Sequence, residues 1–106
     1  MILKRKYRHV LVLASGDIDA ASAGNSIGAE LMRFMGELEH SEANPRIVAQ
    51  YTPRLFVIKV NRGFEDRLVL SLSFVKHVQG RAIGFSTLKT SGTIKSLLLY
   101  AQKMKD

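Results

Sequence analysis

The 106-residue chain contains no cysteine, so neither a disulfide nor a thiolate metal site is open to it. That absence fits a reducing compartment, and the cytoplasm is the expected location. No apolar run approaches the roughly 18 residues that a membrane span requires, and no membrane contact is expected. The opening Met1-Ile-Leu-Lys-Arg-Lys lacks the apolar region and cleavage site of a signal peptide. His9, His40 and His77 stand far apart, without metal-ligand spacing. Neither a phosphate-binding loop nor a nucleophile elbow occurs, and Ser91 has no sequence neighbour to activate it. Asp17-x-Asp19 lacks a nearby third ligand and reads as a helix cap. These gaps leave little basis for an enzyme that works by itself: no catalytic residue, metal site or protein-bound cofactor is expected.

Acid is also scarce. Nine Asp and Glu face sixteen Lys and Arg, for a net charge of +7 and a pI near 10.1. The imbalance is uneven: residues 1–16 carry +4, residues 17–42 carry −5 and residues 43–105 carry +9. A basic domain with one acidic segment suits a polyanion on one side and something else on the other. The length allows one domain, spanning 1–106, with one modest core.

Residues 5–14 read as a first strand, rich in β-branched and aromatic residues. A turn at Ser15-Gly-Asp17 leads to a helix over 20–36, with Ile27, Leu31, Phe34 and Leu38 as its buried stripe. Gly36 is placed at its C-cap, and residues 37–45 are expected to form an acidic loop. Residues 46–51 and 54–61 make a hairpin around Thr52-Pro53. A second helix is predicted over 64–77, striped by Phe64, Leu68, Leu72 and Val75. A turn at 78–81, a fourth strand over 82–89 and a third helix over 93–104 complete the chain. The order implies an α+β, ferredoxin-like βαββαβ fold: a four-stranded antiparallel sheet plus a C-terminal helix.

The stretch Thr87–Leu98 organises the functional reading. Ser91-Gly92-Thr93 marks a strand running into a helix, flanked by Lys89 and Lys95. Hydroxyls there serve either as ordinary caps or, with the helix N-terminus and the lysines, as a phosphate contact. Lys4, Arg5, Lys6 and Arg8 form a basic arm suited to neutralising phosphates, and Arg62 stands at the entry to the second helix. Base stacking on central strands finds little support, since Leu55–Val60 has Phe56 as its one aromatic. Arg81-Ala-Ile-Gly-Phe-Ser-Thr-Leu echoes an RNA-binding signature but falls on a strand expected at the sheet edge. If Lys59 points away from the helices, alternation puts Leu55 and Val57 on the same aliphatic face, joined by His9, Leu11 and Leu13. Such a face suits a protein partner or a covering helix.

Several of these segments together resemble a known family. They are the basic strand around Tyr7 and Arg8, Phe34-Met-Gly-Glu-Leu38, Ala43-Asn-Pro45, Ile58-Lys-Val-Asn-Arg62 and, most specific, Leu88-Lys-Thr-Ser-Gly-Thr-Ile-Lys95. The chain resembles the small RNA-recognition-like protein subunit of archaeal and eukaryotic ribonuclease P, the Pop-five type, and its compact length suits an archaeal member. The resemblance implies an accessory subunit of a ribonucleoprotein that removes the 5′ leader from precursor tRNA. It further implies magnesium at the catalytic RNA and assembly with the larger TIM-barrel-like subunit in a two-plus-two complex. By matching position, Ser91, Gly92, Thr93 and Lys95, with Lys89 beside them and Arg62, are implied RNA contacts. A small-molecule regulatory module on the same fold is the alternative, opposed by the strong basic excess.

Overall fold

Two strands are apolar at both odd and even positions, β1 (Tyr7–Ala14) and β3 (Leu55–Asn61), and they form the centre of the sheet. The computed structural model describes residues 6–104. Between and after these strands come α1 (Ala20–Met35), α2 (Glu37–Ala43), β2 (Arg46–Thr52), α3 (Glu65–Phe74), β4 (His77–Val78), β5 (Arg81–Ala82), β6 (Phe85–Ser91) and α4 (Ile94–Met104). The main sheet runs β2-β3-β1-β6, with every neighbouring pair antiparallel. This is the predicted ferredoxin-like arrangement, with the last long strand at an edge.

One face of the sheet carries α1 and α3. Val10, Val12, Phe56, Ile58 and Val60 pack there against Ile27, Leu31, Leu68 and Leu72. The other face carries α4, whose Leu97 and Ala101 are buried with Leu11, Leu55 and Val57. Burying a leucine or valine side chain contributes about 1.5–3 kcal/mol, so each face is a substantial part of the stability. The expected open aliphatic face is therefore corrected. Leu11, Leu55 and Val57 lie beneath the chain's own helix, and Leu13 packs half-buried against them.

The helix boundaries follow local chemistry. Asp19 caps α1 by accepting from the Ala21 N–H at 3.1 Å. Gly36 closes it with φ +89°, a value that favours glycine. The buried stripe runs Ala23, Ile27, Leu31, Met35, at i+4 spacing. Phe34 and Leu38 are exposed, contrary to the predicted stripe, because the i+4 row continues to Met35 and the chain bends at Gly36. The predicted acidic loop is instead the helix α2, ended by Asn44 in the left-handed region. α3 stops at Phe74, earlier than predicted. The short β4–β5 hairpin follows, turning through Gln79 and Gly80, both at positive φ as a tight hairpin turn requires.

Leu97 is the test of the α4 layer. Leu97→Ala is expected to lower unfolding stability by about 2–5 kcal/mol in urea denaturation. A loss below about 1 kcal/mol would mean that α4 does not pack on the sheet as described.

Candidate nucleic-acid interface

Antiparallel pairing brings the N-terminal ends of β1 and β2 and the C-terminal ends of β3 and β6 to one end of the sheet. Register fixes a row across all four strands there: Ser91 opposite His9, His9 opposite Lys59, Lys59 opposite Arg46. Paired residues share a face, and this row lies on the α4 side with Leu11 and Val57 one step inward. Tyr7, opposite Asn61, lies one step outward. The Lys59 ammonium sits 3.9 Å from the centroid of the Tyr7 ring, a cation–π contact. Arg62 extends the same end, its N–H bonded to the Lys6 carbonyl at 2.7 Å, and the Arg62 and Lys6 side chains are exposed.

The Ser91-Gly92-Thr93 turn joins β6 to α4 at this end. Ser91 Oγ accepts from the Thr93 N–H at 3.2 Å, and Thr93 Oγ1 accepts from the Ser96 N–H at 3.3 Å. Thr93 is thus the N-cap of α4. Capping uses the hydroxyl oxygen as acceptor and leaves its hydrogen able to donate, so a cap and a phosphate contact are compatible. Lys95 is exposed in the first turn, where the helix dipole disfavours a cation and favours an anion. Lys89 lies inward along the edge strand, its ammonium 5.1 Å from the Tyr100 ring of α4.

The other sequence-derived candidates divide. Arg8 points to the opposite face, where its Nε lies 3.8 Å from Glu65, and Glu65 also accepts from the Gly63 N–H. Its charge is shared within the fold. Lys4 and Arg5 fall outside the described residues. His9, assigned from sequence to an aliphatic partner face, sits half-buried in the polar row. Sequence reasoning missed the joining of Tyr7 to Lys59 and Arg46, because register between β1 and the distant β2–β3 hairpin makes it. Strand alternation did hold the partial signal that Lys59 faces away from α1 and α3.

Three further arginines are tied into the fold. Arg54 Nε donates to the Ala14 carbonyl at 3.1 Å, and Arg81 donates to the Asp17 carbonyl at 2.8 Å. Arg67 makes a bidentate pair with Glu39 at 2.8 and 2.9 Å, which lowers the Glu39 carboxyl below its usual range. The pair joins α2 to α3 on the helical side. Among the described residues, no three His, Asp or Glu side chains gather as a metal site.

The cation in the first turn of α4 separates folding from binding. Lys95→Glu is expected to raise stability by about 0.3–1 kcal/mol, through the helix dipole, in chemical denaturation. The same change is expected to weaken RNA binding and to reduce the slope of log K against log salt by about one unit. An unchanged slope would remove Lys95 from the interface.

Comparison with known proteins follows the same outline. A chain in the structure titled "Cryo-EM structure of yeast Ribonuclease MRP" shares the fold, with a TM-score of 0.59 and 14% identity. The match covers 99% of this chain and 93% of that one. Among curated protein sequences there is no significant match. A family model described as the Rpp14/Pop5 family matches residues 6–102, nearly the whole chain, and on that match the protein belongs to the Rpp14/Pop5 family.

Proposed function

We propose that the chain is an accessory protein subunit of ribonuclease P, supporting the catalytic RNA as the 5′ leader is removed from precursor tRNA. The family match over residues 6–102 carries this reading. The likeness in fold to a chain of yeast ribonuclease MRP agrees with it. So does the gathering of Lys6, Arg46, Lys59, Arg62 and Lys95 toward one end of the molecule.

In this reading the RNA holds the magnesium ions and performs the hydrolysis. The protein's cations replace counterions along closely approaching phosphates, so the RNA keeps its fold with less magnesium. Thr93 fixes the start of α4, and Ser91 fixes the turn before it. Their hydroxyls and the Lys95 ammonium then meet a phosphate without rearrangement.

The larger TIM-barrel-like subunit, in a two-plus-two complex, is the proposed protein partner. Its contact belongs on the helical side, since α4 already covers the sheet. Phe34 and Phe74 stack there at 5.6 Å between centroids, with Leu70 exposed nearby and Leu38 75% exposed. Glu37 and Glu42 give this side an acidic rim, while Glu39 is neutralised by Arg67 and Arg33 lies over the Phe34 ring. The rim repels RNA and complements a protein surface with basic groups around an apolar centre.

Reconstitution of ribonuclease P RNA with the TIM-barrel-like subunit, with and without this chain, tests the assignment. The chain is expected to stimulate precursor tRNA cleavage at low magnesium. The Lys89→Ala, Lys95→Ala double variant is expected to need about tenfold more protein for the same effect, equivalent to about 1.4 kcal/mol. Absence of stimulation by folded wild type, with matched RNA and partner, would overturn the assignment. For the helical face, Leu70→Glu is expected to abolish co-elution with the TIM-barrel-like subunit while the circular dichroism spectrum stays unchanged. Intact co-elution would place that contact elsewhere.

A further inference from the structure

β3 is buried from Leu55 to Ile58 and again at Val60, and Lys59 is its one charged residue. A lysine is an unusual choice for a central strand, because its ammonium must stay hydrated or find a partner. Among the described residues no carboxylate pairs with Lys59; its ammonium instead lies over the Tyr7 ring. Tyr7 is on the other central strand, on the same face, and is 39% exposed. Leu97 and Ala101 of α4 bury Leu11, Leu55 and Val57, and their apolar cluster stops short of Tyr7 and Lys59. The end of the sheet therefore keeps a half-exposed aromatic on a central strand, with a cation against it. Arg46 follows on β2, directly opposite Lys59. Neighbouring strands lie about 4.8 Å apart, so the two cations are spaced to serve one stretch of backbone.

An exposed aromatic on a central strand is what RNA-binding sheets use to stack a base, and flanking cations hold the sugar–phosphate chain. A base within a duplex already has both faces stacked and cannot meet such a ring. We propose that Tyr7, Lys59 and Arg46 form a binding site for one unpaired nucleotide of RNA, its base stacked on the Tyr7 ring and its phosphates on Lys59 and Arg46. The site rests on the RNA-subunit reading and adds to it a contact with a single-stranded position. It lies beside the Ser91-Gly92-Thr93 turn through His9, which is paired with both Ser91 and Lys59. A strand leaving Tyr7 across this row reaches the start of α4.

The test uses the full chain with an eight-residue oligoadenylate and an abasic oligomer of the same length and charge, both end-labelled for fluorescence anisotropy. Tyr7→Ala is expected to weaken oligoadenylate binding about tenfold, and Tyr7→Phe to stay within about twofold, since the ring and not the hydroxyl carries the stacking. Wild type is expected to bind the abasic oligomer as weakly as Tyr7→Ala binds oligoadenylate. The chain has no tryptophan and three tyrosines, so quenching of tyrosine emission on binding, lost in Tyr7→Ala, is a second readout. Should Tyr7→Ala fail to fold, the comparison of the two oligomers on wild type decides alone. Equal, salt-sensitive binding of both oligomers overturns the stacking site and leaves the RNA-subunit reading standing. Binding of neither oligomer, with precursor tRNA cleavage still stimulated, also overturns the site alone. Binding of neither, with no stimulation, overturns both.

Discussion

Two central strands with apolar side chains on both faces impose the main constraint on this molecule. β1 and β3 cannot leave either face in water, so both need a cover. α1 and α3 supply one and α4 the other. In a chain of 106 residues this uses nearly every helix on burial. The sheet face is thereby closed along most of its length. The polar surface of the sheet is left at the end where β1 begins and β3 finishes, with His9, Lys59 and Arg46 in one row.

That arrangement shapes the electrostatics. The count of sixteen Lys and Arg overstates how many cations a polyanion meets free of other contacts. Arg54 and Arg81 satisfy backbone carbonyls, Arg67 is clamped by Glu39, and Arg8 lies against Glu65. Among the described residues, Lys6, Arg46, Lys59, Arg62 and Lys95 gather around one end of the sheet and the start of α4, while Arg33 on α1 and Lys76 after α3 are exposed elsewhere. The carboxylates of α2 sit with the helical layer. An acidic segment that looks like a compositional oddity in the sequence becomes one side of a polarised molecule.

Most of the architecture was legible because it rests on short-range patterns. β-branched and aromatic content marked β1, the Thr52-Pro53 turn marked β2 and β3, and Gly36 marked the end of α1. The errors arose where two local signals competed. Phe34 and Leu38 are apolar and helically spaced, yet Met35 continues the buried row and Phe34 stacks on Phe74 at the surface instead. Residues 37–43 carry a loop-like composition, but acids in the first turn favour a helix, and Asn44 ends it. For the candidate site, the Ser91–Thr93 turn could be read directly, because a cap is local chemistry. The full row from Ser91 to Arg46 could not, because it depends on His9 pairing with Ser91 and with Lys59, residues 82 and 50 positions away. The sheet face was read as open for a related reason. Aliphatic alternation shows that a face is buried, not whether this chain or another one buries it.

The position of α4 also bears on how the protein is made. It follows every strand of the main sheet, is eleven residues long, and covers a face formed by strands that come tens of residues earlier. β1 cannot complete its pairing until β6 has been synthesised, since the two are joined across the whole intervening chain. During synthesis, Leu11, Leu55 and Val57 therefore stay without their cover until the final turns of α4 clear the ribosome. Pairings of such long sequence separation are slow to close. A nascent chain thus carries an uncovered aliphatic sheet face for the whole of that interval, which makes truncation before Leu97 a route to aggregation rather than to a smaller folded domain.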